Sequence, residues 1–528
     1  MIISGNSVEM NACIKADICI VGAGAAGITL GSAFLKSGLK VVIVESGGTV
    51  TDPTIQELNK TTSTYLPIGE DARVRGFGGT TDVWAGKWIP YIASDFSIKN
   101  WVPNSGWPLI FEDLFPYFEQ ATQLHGGPSI DDIEGYFAQT PKTLQMKPPH
   151  PDLIQTPIYW LDAPKIQFAN NVGNSLINSE SLSIYTMSTV VEILPTENND
   201  SVSRLDISTP NGNRFFIKPR FTILACGGIE NARCMLASRE HSSAGIGNET
   251  DTVGRYYMDH PKSVLANITF AENQSFPECF NFNPRYKGRV DLGLRLSDAE
   301  MEKLGVLNSY LLFNPEYSWS GDETLSNFLT TLLRLKQTAT NGSLWKMAVT
   351  LFWKTNKGNL SKVFLAKLKS KFLKIKPQPN KISVQFHMEQ APEATNRVIL
   401  SSEKDIFGKP LAHVDWKVSK IEKMTVLNLY SALEAWVKHN KIGKIHWVRS
   451  ITEDDDWDWI DDASHHAGTT RMGNDPKTSV VDKDCKVHTF DNLYIAGGSV
   501  FPTSGFANPT WTITALALRL ADHLKRKF

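Results

Sequence analysis

The sequence predicts an α/β protein in which a parallel-sheet domain is joined to a second domain built on antiparallel sheet. The segment from Ala16 to Gly48 reads as strand, glycine-rich turn, helix and strand, the repeating unit of a parallel sheet. A second strand, tight turn and helix follow at Phe221 to Ser238. Between Lys381 and Leu400, two runs of alternating apolar and polar residues flank a proline, a pattern typical of antiparallel strands.

The first turn has the features of a dinucleotide-binding site. Bare backbone at the start of a helix can stabilise a pyrophosphate, and the glycines that provide it are Gly22, Gly24 and Gly27. The next strand ends on Glu45, whose carboxylate can accept hydrogen bonds from a ribose diol. Glu45 would repel a 2′-phosphate, and Gly31, which lets the helix pack close to its strand, favours FAD over a nicotinamide cofactor. These residues alone leave both dinucleotides open.

The composition is that of an ordinary globular protein. The 528 residues are 41% hydrophobic and 21% charged, and their formal net charge of -1 predicts no nucleic-acid partner. The six cysteines have no metal-binding spacing, and we predict no metal site. Because neither a signal peptide nor an apolar run of membrane-spanning length is visible, we expect a cytoplasmic protein.

Glycines and tryptophans crowd a second loop, Arg73 to Pro90. We expect its glycines to let a flat ring system approach, with Trp84 and Trp88 as aromatic walls. The loop resembles the GG-[ST]-[ST] loop of the glucose–methanol–choline (GMC) family of flavoproteins, which lies along the flavin. In the pyranose-oxidase-like branch, a histidine just before the loop's tryptophan carries a covalent flavin link. This chain has Val83 there, so the resemblance implies FAD bound without a covalent bond.

The middle and the end of the chain extend the resemblance to the GMC family. Phe221 to Ser238 looks like the second signature of the family, where the chain returns to the nucleotide domain. Gly245 to Pro261 resembles its VGR-x-[LFY]-x-[DE]-H segment, and we expect the histidine of that segment, His260, to have a structural role. Ser464 to Gly473 (SHHAGTTRMG) and Asn492 to Asp522 are similar to the C-terminal signature, H-x-x-G-T-x-R-M-G followed by NP.

Two residues of this last signature are the predicted catalytic pair. In the GMC family its first histidine, here His465, and a His or Asn partner, here Asn508, flank the substrate alcohol in front of the flavin. An imidazole titrates near neutral pH and suits removal of a hydroxyl proton, whereas Asn508 can only hold and orient the alcohol oxygen. Adjacent residues of an extended segment point to opposite sides, so His466 is the alternative base, and we assign the role to His465. Gly497, where the family often has Asp, slightly favours a sugar-like substrate.

The resemblance also implies the domain organisation and the residues that hold FAD. A Rossmann-like FAD-binding domain is expected in three parts, residues 15–95, 181–262 and 464–528, and the antiparallel-sheet substrate domain of the GMC fold is expected at residues 96–180 and 263–463. The predicted cofactor-binding residues are Gly22, Gly24, Ala26, Gly27, Glu45, Ser46, Arg75, Gly78, Gly79, Thr80, Asp82, Val83, Trp84, Val190, Ala225, Gly498, Asn508, Pro509 and Thr510.

One basic segment predicts a contact of another kind. Residues 324–380 contain no acidic side chain, and residues 359–376 place apolar side chains near one face of a helix with lysines around it. Such a helix can lie in a membrane interface, where each lysine contributes about 1 kcal/mol on an anionic surface. Peripheral binding at the inner face of the membrane is one hypothesis, and packing on the protein's own domain or on a neighbouring subunit is the other.

Together these patterns predict an enzyme. We expect FAD-dependent oxidation of a CH–OH group, on a sugar or a glycosylated compound, by hydride transfer to the flavin with His465 as general base. The electron acceptor is open between oxygen, a quinone and a protein. Two alternatives remain at this point: a flavin-containing lyase of the same fold without redox turnover, and a membrane-docked flavoprotein without alcohol turnover.

Overall fold

The computed structural model describes residues 1–69, 72–131, 153–161, 163–270, 289–316, 381–452 and 455–528. The strands in these ranges are β1 (Ile2–Ser4), β2 (Cys13–Val21), β3 (Val41–Val44), β4 (Thr61–Tyr65), β5 (Leu153–Trp160), β6 (Leu182–Thr186), β7 (Thr189–Pro195), β8 (Val202–Ser208), β9 (Arg214–Leu224), β10 (Lys262–Phe270), β11 (Arg289–Leu296), β12 (Ser309–Glu316), β13 (Lys381–Met388), β14 (Arg397–Lys404), β15 (Pro410–Trp416), β16 (Gly443–Trp447) and β17 (Leu493–Ile495). The α-helices are α1 (Ala25–Phe34), α2 (Pro53–Gln56), α3 (Ala93–Phe96), α4 (Phe111–His125), α5 (Ala163–Ile166), α6 (Gly173–Ile177), α7 (Glu230–Ala237), α8 (Asp298–Leu304), α9 (Lys420–His439) and α10 (Thr510–Lys525).

The first sheet is assembled from distant parts of the chain. Strand β2 pairs in parallel with both β3 and β9, and the apolar runs of these strands are buried on both faces, as parallel sheets require. The order β1-β6-β3-β2-β9-β8-β7 is completed by β17, which pairs in parallel with β9. The predicted strand, turn, helix and strand of the opening segment are confirmed, although α1 ends at Phe34 rather than near Ser37.

The second sheet carries the antiparallel strands predicted from the sequence. Its six strands run in the order β16-β10-β13-β12-β11-β5, and each pairing is antiparallel. The prediction that Lys381 to Leu400 supplies two strands of one sheet is wrong. Strand β13 belongs to the six-stranded sheet, whereas β14 pairs with β15 in a three-stranded sheet that β4 completes.

The buried residues between β13 and β14 explain this separation. Glu389 Oε2 accepts a hydrogen bond from Lys99 Nζ at 2.7 Å. Gln390 Oε1 accepts one from Trp416 Nε1 at 2.9 Å, and its backbone N–H donates to Ser504 Oγ at 3.0 Å. These partners lie far away in the sequence, so they draw the chain out of one sheet and into the next.

A buried aromatic cluster joins the loop Arg73 to Pro90 to the last helix. Trp88 is fully buried and stacks on Trp511 of α10, with 5.2 Å between ring centroids. Trp511 Nε1 in turn donates to the carbonyl of Phe118 in α4 at 3.0 Å. The prediction that Trp88 forms an aromatic wall of the loop is therefore wrong, because its ring is part of the core between the helices.

His125, at the end of α4, gives the fold a dependence on pH. Its ring stacks on Phe168 at 3.8 Å, and neither ring nitrogen has a hydrogen-bond partner in the described part of the chain. Burial lowers the pKa of His125 from 6.5 to about 3. Below pH 6.5 the unfolded chain binds a proton at this side chain and the folded chain does not, so the free energy of unfolding decreases as the pH falls from 6.5 towards 3.

The substitution His125→Phe should remove this dependence, because phenylalanine keeps the stacked ring and does not titrate. Between pH 7 and pH 5 the wild type should lose about 2 kcal/mol relative to H125F, at roughly 1.4 kcal/mol per pH unit below 6.5. Urea unfolding at the two pH values measures the difference. H446A, which changes an exposed histidine of β16, should follow the wild type. A parallel loss of stability in H125F would contradict the prediction.

The basic segments 324–380 and 359–376 lie outside the described residues, so the hypothesis of membrane contact stays a prediction. Among the described helices, none combines the length and the apolar character needed to cross a membrane.

Candidate active site

A cavity of about 500 Å³ is lined both by turns of the first sheet and by strands of the second. Most of the predicted cofactor-binding residues line it, and three of them, Gly27, Gly78 and Asp82, do not. Those that do are Gly22, Gly24, Ala26, Glu45, Ser46, Arg75, Gly79, Thr80, Val83, Trp84, Val190, Ala225, Gly498, Asn508, Pro509 and Thr510.

The two predicted glycine turns contact each other at one wall of this cavity. The N–H of Gly78 donates to the carbonyl of Ala23 at 3.0 Å. A Cβ on Gly79 would lie 2.7 Å from Cα of Gly24, which is closer than real side chains come, and Gly79 also has a φ of +58°. Gly27 has a packing role instead, because a Cβ there would lie 1.9 Å from the carbonyl oxygen of Gly22 and would push α1 away from its strand. The wall is therefore bare backbone of the kind that a dinucleotide can approach.

Glu45 closes the end of β3 at the same wall. Its Oε2 accepts a hydrogen bond from the N–H of Ala23 at 2.8 Å, and its Oε1 accepts one from Gly47 at 2.9 Å. Burial raises the pKa of Glu45, and these two N–H groups oppose that rise. The carboxylate is thus fixed next to the glycine turn, with lone pairs left for a ribose diol.

The predicted catalytic pair comes together at another part of the cavity wall. Asn508 Nδ2 lies 2.9 Å from His465 Nε2, and both residues line the cavity. Asn508 directly precedes Pro509, the N-cap of α10. This position places Asn508 and His465 beside the positive end of α10, where negative charge is stabilised.

His260 contacts the other face of this pair, and the sequence did not predict that contact. His260 Nδ1 lies 2.8 Å from His465 Nδ1, and His260 Nε2 lies 2.8 Å from the carbonyl oxygen of Gly505 and 3.1 Å from that of Ser504. Carbonyl oxygens only accept, so His260 Nε2 must carry a hydrogen and donate. In neutral His260 the lone pair is then on Nδ1.

The tautomer of His465 follows from that of His260. Because His260 Nδ1 accepts, His465 must carry its proton on Nδ1 and donate it to His260. The lone pair of His465 is therefore on Nε2, where it accepts a hydrogen bond from the Asn508 amide, and both residues line the cavity. Two backbone carbonyls thus determine, through one intervening imidazole, which nitrogen of His465 can accept a proton.

Asp259 holds the backbone of both histidines in place. Its Oδ1 accepts hydrogen bonds from the N–H of His260 at 2.6 Å, of Ala463 at 3.0 Å and of His465 at 3.1 Å. The side chain of Asp259 is fully buried, which strengthens such charge-assisted bonds. The alternative base, His466, has a different environment. Its Nε2 lies 3.7 Å from Asp259 and 3.8 Å from Asp462.

The charges around His465 keep it neutral. Burial, followed by the charges of His260, Lys87 and Lys262, lowers the pKa of His465 well below 6.5. Both lysines line the cavity. A lowered pKa means that the imidazole remains unprotonated at neutral pH, which is the state that a general base requires.

The chain is similar to known oxidoreductases. The family model of GMC oxidoreductases matches residues 392–517. The 2-methyl-1,2-propanediol dehydrogenase of Mycolicibacterium austroafricanum is 25% identical over 97% of this chain and 96% of its own length. The C-terminal part of the chain thus matches the GMC oxidoreductases, as its sequence motifs predicted.

Two further comparisons extend over nearly the full length of the chain. The fructose dehydrogenase large subunit of Gluconobacter japonicus is 22% identical over 97% of this chain and 98% of its own. The crystal structure of formate oxidase superposes with a TM-score of 0.57 at 16% identity, covering 98% of this chain and 99% of that one. The predicted α/β fold is therefore confirmed, and the GMC family that the chain resembles generally binds FAD.

The residues present fit that cofactor. The bare glycine backbone, the fixed carboxylate of Glu45 and the cavity that joins them to His465 provide what a long dinucleotide needs. The sequence did not predict the contact of His260 with His465. It also missed Lys87, which lies in the recognised loop Arg73 to Pro90, and Lys262 and His387, which line the cavity without belonging to any recognised motif. Among these residues, the only one that the sequence marked was His260, the histidine of the VGR segment.

Proposed function

We propose that this protein is a GMC oxidoreductase that oxidises a CH–OH group of a sugar or glycosylated compound to a carbonyl, with His465 as general base and Asn508 as the orienting partner. The observation that carries the proposal is the unprotonated Nε2 of His465, which accepts a hydrogen bond from the Asn508 amide at 2.9 Å, in a pair of residues that line the cavity. FAD, when bound, supplies the acceptor for the hydride that leaves the carbinol carbon. A positioned base contributes about 100- to 10,000-fold to such a reaction.

Each residue around the proposed substrate has a separate role in this reaction. The substrate hydroxyl approaches Nε2 of His465 and gives its proton to that nitrogen, while the amide N–H of Asn508 donates to the same oxygen. His465 keeps its Nδ1 proton on the bond to His260, so the ring cannot rotate and the new proton stays at Nε2. Asp259 prevents the two histidine-bearing segments from moving apart.

We further propose that FAD is bound without a covalent bond. Val83 lines the cavity and is 60% exposed, and its side chain has no nucleophile to form a link. The sugar-like substrate is supported by the name of the fructose dehydrogenase relative and by Gly497. The electron acceptor stays open between oxygen, a quinone and a protein.

An anaerobic screen of sugars, glycosides, sterols and simple alcohols tests the proposal. A substrate should bleach the flavin absorbance, and one oxidised carbonyl product should form for each flavin reduced. Precipitation with acid should release the flavin from the polypeptide if no covalent link exists. Product formation from a cyanohydrin without bleaching would favour the lyase alternative, and a protein that binds no FAD would overturn the proposal.

A further inference from the structure

A row of polar side chains crosses the second sheet next to the catalytic pair. In the register of the sheet, Lys262 of β10 and Tyr310 of β12 are the two direct partners of His387 in β13. Directly opposite residues of antiparallel strands project from the same face, with about 5 Å between Cβ atoms. Lys87 extends the row, because its Nζ lies 3.3 Å from the Tyr310 hydroxyl. His387 therefore lies between Lys262 and Tyr310, and Lys87 lies beyond Tyr310.

His387, at the centre of the row, has hydrogen-bonding capacity that the described part of the chain does not use. The residue is 5% exposed, and neither ring nitrogen has a hydrogen-bond partner among the described residues. Its ring is fixed by parallel stacking on Tyr310, with 4.9 Å between centroids and 2° between planes. Buried polar groups are normally paired, and His387 lines the cavity, so its nitrogens, unpaired among the described residues, make the residue a candidate partner for a ligand.

The charge at this part of the cavity is positive. Lys262 lines the cavity together with Lys87. Lys262 also acts on one carboxylate outside the cavity lining, that of Asp462: burial raises the pKa of Asp462, and His466 and Lys262 are among the groups that lower it. Burial, and then the charges of Lys87 and Lys262, lowers the pKa of His387 well below 6.5. An anion placed between these groups would gain charge-assisted hydrogen bonds, whereas a cationic group would be repelled.

The carboxylates that line the described part of the cavity do not neutralise this charge, because each is engaged elsewhere. Glu45 accepts from the N–H groups of Ala23 and Gly47. The other two pair with arginines, Glu230 with Arg73, Arg75 and Arg233, and Asp405 with Arg233.

We propose that Lys262, His387 and Lys87 form a subsite for an anionic group of the substrate, a carboxylate or a phosphate. The preferred substrate is then an acidic sugar derivative, held by its anion while another hydroxyl reaches His465. This inference rests on the proposed function for the identity of the reacting group and adds the class of substrate.

Matched ligands test the subsite on the FAD-loaded protein. Binding of glucose, glucuronate and glucose 6-phosphate is measured anaerobically by the change in flavin absorbance and in tryptophan fluorescence, and flavin bleaching is recorded in the same titrations. At least one anion should bind about 10-fold or more tightly than glucose, and whether glucuronate or the phosphate binds better identifies the anion. The ratio of each anion's dissociation constant to that of glucose is the quantity compared between variants.

Lys262→Met should reduce this preference for the anion about 10-fold, the effect of losing one charge-assisted hydrogen bond. His387→Phe, which keeps the stacked ring and removes both nitrogens, should act in the same direction. The control Lys444→Met changes an exposed lysine of β16 in the same sheet and should keep the wild-type ratio.

Each outcome separates the subsite from the proposed function. Wild-type protein that binds the anions no more tightly than glucose, or an unchanged ratio in both K262M and H387F, overturns the subsite even where flavin is bleached. A preference for anions that disappears in these variants supports the subsite. If the anions bind in this way but no ligand bleaches the flavin, the proposed oxidation is refuted and the subsite is not.

Discussion

Replacement of His465 by alanine is expected to slow flavin reduction by about 100- to 10,000-fold while FAD stays bound. The loss follows from the site, because the lone pair of His465 is on Nε2, next to Asn508 at the cavity wall, and the tautomer leaves no other nitrogen of this ring available. The cofactor should be retained because the glycine turns and Glu45 do not contact His465. Stopped-flow absorbance under anaerobic conditions measures the rate.

Two comparisons make this result interpretable. H446A removes an exposed histidine of β16 and should reduce the flavin at the wild-type rate. His466→Gln tests whether His466, the alternative base, takes the role assigned to His465. The ring of His466 lies near Asp259 and Asp462 instead of Asn508. A wild-type rate in H465A would refute the assignment of the base, and loss of bound flavin in the same variant would show that His465 has a structural role.

Replacement of His260 by leucine is expected to reduce the same rate by about 10- to 1,000-fold, although His260 does not reach the cavity wall. The reason is the tautomer of His465. Without an acceptor at Nδ1 of His260, His465 can carry its proton on Nε2, where it blocks the base. His260 is thus a positioning residue that acts through His465.

A conservative variant separates this role from simple packing. His260→Asn introduces a side chain with the same branched heavy-atom skeleton as leucine, and its amide oxygen can take the place of Nδ1 and accept from His465. We expect H260N to recover part of the rate that H260L loses, with the half-saturating substrate concentration unchanged in both and the acid limb of the pH profile displaced in H260L alone. Equal rates in H260N and H260L would contradict the positioning role.

The residues that we propose for cofactor binding and catalysis could be predicted because they belong to short motifs. The glycine turn and Glu45 lie within one strand, turn, helix and strand, where spacing along the chain determines spacing in three dimensions. Asn508 and His465 belong to a signature whose order is preserved in the GMC family. The predicted fold class is confirmed for the same reason, because alternating strands and helices with buried apolar runs leave few arrangements open.

Other features depended on pairings between distant segments. Lys381 to Leu400 was assigned to one sheet because its local pattern does not record that Lys99, Trp416 and Ser504 hold the residues between the strands. Trp88 was taken for a wall of the loop because nothing near it in the sequence indicates that Trp511 covers its ring.

The sequence by itself was enough to predict the fold class, to indicate an FAD-type cofactor and to nominate His465 as the base, since each prediction depends on residues that are close together in the chain. Only the tertiary structure indicates which ring nitrogen of His465 carries the proton. His260 and His465 are 205 residues apart, and the hydrogen bond between their Nδ1 atoms forms next to an isolated β-bridge between Met258 and Ala467 that joins the two segments. The row of Lys262, His387 and Tyr310 arises in the same way from strand register, which no local pattern encodes.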